Sequence, residues 1–89
     1  MVRLAEFEGI TVSMDDGCDL RVPHVHVSGR DGDAVYDITD AEPVRGVVPG
    51  RAGTILEGWL VVRERELLDA WDAVRSGFGG SDIPVPPLA

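Results

Sequence analysis

The chain has 89 residues, enough for one domain with a single small core, and 44% of them are hydrophobic, so it is expected to fold rather than stay disordered. Sixteen acids stand against eight bases, every base an arginine, for a formal net charge of −8; a surface of that sign repels phosphate backbones and argues against direct binding of nucleic acid or an anionic membrane. A single cysteine, Cys18, excludes an internal disulfide framework.

Arg3 to Glu8 and Ile10 to Met14 carry the apolar residues of two short strands joined at Gly9. Asp15 to Arg21, "DDGCDLR", has no hydrophobic period and reads as a loop, with Asp15 and Asp16 shaping its turn. Strand character returns at Pro23 to Ser28. "SGRDG" then reads as a hairpin connection and "DAVYDI" (Asp33 to Ile38) as the returning strand. After a turn at "TDAE", "PVRGVV" (Pro43 to Val48) is expected as an edge strand, since proline suits a strand start.

Beyond Pro49 the period changes. Leu56, Trp59, Leu67, Trp71 and Val74 recur at helical spacing, and Gly77 suits the position just past a helix end. Gly53 and Gly58 each cost about 1 kcal/mol against alanine, so the first part is expected to be bent or broken. Trp59 and Trp71 read as core anchors. The domain is therefore expected over residues 1–77. Residues 78–89, Gly- and Pro-rich, form a tail that is extended or docks through Ile83 and Val85.

Strands first and helix last make an α+β fold: a small antiparallel sheet followed by a long C-terminal helix packed on one face. No apolar run nears membrane-spanning length, and "MVRLAEFEG" contains no leader-like apolar core. The expectation is a cytoplasmic, bacterial-type protein without membrane association.

The chain's two histidines, His24 and His26, lie in "RVPHVHV". On a strand they share one face while Val25 and Val27 share the other, so valines packed on the helix would leave both imidazoles on the uncovered face. Three readings follow. The rings are exposed and bond water or carboxylates; or they give two of the three or four ligands a zinc-type site takes; or they serve acid–base chemistry near neutrality. Asp19, Cys18, Asp37 or a second subunit would complete a metal set. In an enzyme, Asp19 or Asp37 would orient an imidazole, and Arg21 or Arg30 would hold an anionic substrate. Tyr36 faces either the histidines or the core.

The motifs "FEGITVSM" (Phe7 to Met14), "PHVHV" (Pro23 to Val27), "AVYDI" (Ala34 to Ile38) and "WLVVRERELLDAW" (Trp59 to Trp71) occur in this order. Together they resemble a family of small bacterial domains known as DUF4160. Further histidines common in that family fall here at Leu20 and Arg63, so only His24 and His26 carry over. The resemblance implies a short regulatory or partner-binding protein, of the kind found in toxin–antitoxin-like gene pairs.

The expected function is thus a protein-binding module using the His-x-His face, with a small partner protein or a second copy as its mate and no cofactor. The alternative is a small enzyme using His24 and His26 for acid–base or metal-assisted chemistry on a small anion.

Overall fold

Five strands form one antiparallel sheet in chain order: β1 (Val2–Phe7), β2 (Ile10–Met14), β3 (His24–Gly29), β4 (Gly32–Asp37) and β5 (Pro43–Arg45). Two helices follow, α1 (Gly50–Val62) and α2 (Glu64–Arg75). The computed structural model describes residues 2–15, 22–30, 32–76 and 83–86. Glu8 and Gly9 connect β1 to β2 with φ of 50° and 76°, the mirror-image turn whose twist matches that of paired strands.

Two irregularities set which side chains share a face. Arg3 pairs with Ser13 but Ala5 with Val12, so Leu4 is an extra residue in β1 and the inward–outward alternation restarts after it. At the other edge Val35 pairs with Arg45 and Tyr36 with Pro43, which makes Val44 the extra residue and turns Arg45 to the side of Val35. The last strand is shorter than expected. Gly46, at φ 64°, ends it, and a Cβ there would lie 2.7 Å from the Asp33 carbonyl oxygen.

The single long helix expected from the apolar period is two helices. The chain leaves helical geometry at Arg63 (φ −98°, ψ 15°), while Gly53 and Gly58 lie within α1. Glu64 and Glu66 occupy the first turn of α2 and Arg75 its last, the charge order a new helix favours at its two ends. Arg63 itself is held outside both helices: its Nε donates to the Pro86 carbonyl at 3.0 Å and its Nη1 to Glu66 at 3.2 Å.

Buried residues of the sheet and of both helices belong to one hydrophobic cluster, including Val12, Val25, Tyr36, Leu56, Trp59 and Leu67. Phe7 and Trp59 meet with ring centroids 5.2 Å apart. Gly53 is required where the start of α1 meets the preceding loop, because a Cβ there would collide with the Val48 carbonyl. Val48 is fixed from its other side, its N–H donating to the Tyr36 hydroxyl at 2.9 Å.

The segment 83–86 runs along β1. Ile83 and Val85 donate backbone hydrogen bonds to Arg3 and Leu4, and Trp59 Nε1 donates to Pro86 at 2.9 Å. The expected domain–tail boundary at 77–78 lies outside the described residues. Among those residues no helix is long and apolar enough to cross a membrane.

Candidate functional site

The register of the strands assembles a polar face. One cross-strand row runs Arg3–Ser13–His26–Val35–Arg45 through all five strands. Beside it lies a second row, Glu6–Thr11–Ser28–Asp33, and on the other side His24 pairs with Asp37. Val12, Val25, Val27, Ala34 and Tyr36 alternate to the opposite face and are buried there. The pleat, with the two register shifts, sorts most polar and apolar residues to opposite faces, buried Val35 being the apolar member of the polar row.

The row is not uniformly solvated. Arg3 and Arg45 at its ends are exposed, Ser13 and Val35 are buried, and His26 between them is half-buried. His26 lines a shallow groove with Ser28, Asp33, Val35, Arg45 and Gly46. Burial pushes its imidazole below the ordinary pKa of 6.5, with His24 and Arg45 acting in the same direction and Asp15 and Asp33 opposing.

His24 departs from the expectation of two exposed imidazoles. It is fully buried. Its ring lies 4.9 Å from the Trp71 ring and 5.2 Å from the His26 ring, edge-on to both. Its Nδ1 donates to the Val22 carbonyl at 2.8 Å, so Nδ1 carries a proton. The Nε2 atoms of both histidines are buried without a hydrogen-bond partner.

The remaining sequence-derived residues fall in different places. Tyr36 belongs to the core face, its hydroxyl committed to Val48. Asp37 is next to His24 in register, but its Oδ1 accepts from the N–H groups of Thr39 and Asp40 and so closes the turn after β4. Arg30 lines a separate groove with Glu8, Ile10 and Val48. Asp16, Cys18, Asp19, Leu20 and Arg21 lie outside the described residues. Among the described residues, no three His, Cys, Asp or Glu side chains group as a metal site.

Ser13, Asp33 and Arg45 join the site without having been singled out in the sequence. Their signal was strand register. For Arg45 it was hidden by the extra residue at Val44.

A family model described as "Domain of unknown function (DUF4160)" matches residues 9–72, well over half the chain. The chain belongs to the DUF4160 family. Neither the curated proteins nor the solved structures contain a match. The DUF4160 match spans β2 through most of α2, and therefore both histidines, Arg45 and Trp71.

Proposed function

We propose that this DUF4160 protein is a small protein-binding module in which the part of the sheet's polar side around His26 receives a partner. The observation that carries the reading is the five-strand row ending in exposed Arg3 and Arg45, with half-buried His26 at its centre. Polar rim around partly desolvated centre is the anatomy of a recognition surface. The family resemblance supplies the setting, a partner encoded by an adjacent gene in a toxin–antitoxin-type pair within the bacterial cytoplasm.

The test is co-expression with the product of the adjacent gene, followed by size-exclusion chromatography. Co-elution in fixed stoichiometry is expected, and it should weaken in Arg45→Glu. Separate elution of two folded proteins would end the pairing model.

A second reading, a small enzyme, is favoured by one observation: half-buried His26 lines a groove together with Asp33 and Arg45. In that reading His26 is the general base and Arg45 holds an anionic group. His24 positions His26, since its own ring is sealed against Trp71. Loss of turnover on a candidate substrate in His26→Gln, with Tm unchanged, is its expected result.

A further inference from the structure

Among the described residues, the buried side-chain polar atoms without a hydrogen-bond partner are Nε2 of His24 and Nε2 of His26. Each such atom costs on the order of 1–3 kcal/mol while it stays unpaired. Finding both on adjacent rings, 5.2 Å apart between centroids and on one face of β3, points to something that satisfies them together.

We propose that the two Nε2 atoms bind a divalent transition ion of the zinc–copper–nickel class. Neutral imidazole nitrogen is a ligand these ions favour, and in His24 the Nδ1–H bond to Val22 leaves Nε2 as the nitrogen that can ligate. A backbone carbonyl holding the far nitrogen is also the support that orients metal-ligating imidazoles.

Two protein ligands leave coordination positions for water. Such a site binds more weakly than a closed four-ligand site and exchanges its ion. The competing occupant is one water donating a hydrogen to each lone pair. The two differ in what they do to the nitrogen resonances.

The experiment is a zinc titration of the untagged, folded protein in chelator-free buffer. Calorimetry would give stoichiometry and affinity, and long-range ¹H–¹⁵N spectra would follow the two rings. The expected result is uptake of one ion, with both Nε2 resonances moving together and affinity falling at least about tenfold in His26→Ala. No uptake, uptake that moves one ring alone, or uptake unchanged in His26→Ala would overturn the proposal. His26→Ala, at the half-buried ring, decides the matter whether or not the companion His24→Phe folds. The readout needs neither partner nor substrate, so its failure is separate from failure of the binding-module reading.

Discussion

The His24 imidazole stands edge-on against the Trp71 indole, with ring centroids 4.9 Å apart. This contact ties the start of β3 to α2 and makes His24 part of the packing as well as part of the polar face. His24→Ala should therefore destabilise the fold by about 2–4 kcal/mol through the cavity it leaves. His24→Phe, which keeps the ring, should cost less and report mainly the lost bond to Val22. Urea denaturation of the two variants separates packing from hydrogen bonding.

The lowered pKa of His26 gives stability a pH dependence of definite sign. In the unfolded chain the ring titrates near the ordinary value of 6.5, and in the folded protein below it. Between those values the unfolded state binds more protons, so stability is fully present above the unfolded pKa and declines as pH falls through the lowered folded one. His26→Gln should flatten this slope. Equal slopes in the two proteins, measured by Tm against pH, would assign it to other groups.

Two glycines in α1 should respond in opposite directions to alanine. Gly58 has open space around its Cβ position, so Gly58→Ala should stabilise the protein by about 1 kcal/mol through helix propensity. Gly53→Ala forces a methyl group into the Val48 carbonyl and should destabilise by about 1–3 kcal/mol. Thermal unfolding of the pair tests whether the loop before α1 is seated as described.

Tyr36→Phe removes the acceptor of the Val48 N–H and should cost about 1–2 kcal/mol while leaving the polar face unchanged. An equal loss of partner binding would contradict the assignment of Tyr36 to the core.

Alternation made much of the fold legible. Val25 and Val27 opposite His24 and His26 could be read directly, as could the order of strands then helix, because period-2 and period-3.6 patterns differ plainly. The helix break was hidden: the apolar period runs on through Arg63, and the signal for a new start was the charge order from Glu64 and Glu66 to Arg75. Arg45 was missed because the extra residue at Val44 shifts its face, a fact of pairing rather than of composition. Burial of His24 also escaped, since it depends on Trp71, forty-seven positions along the chain and on another element.

The central claim is that the polar face around His26 is where a partner docks. Its most direct test is the affinity of the adjacent-gene product for Arg45→Glu, on that face, against Glu57→Arg, an exposed position on α1. The account predicts a loss of about tenfold or more for Arg45→Glu and near-native affinity for Glu57→Arg. The reverse ranking would contradict it.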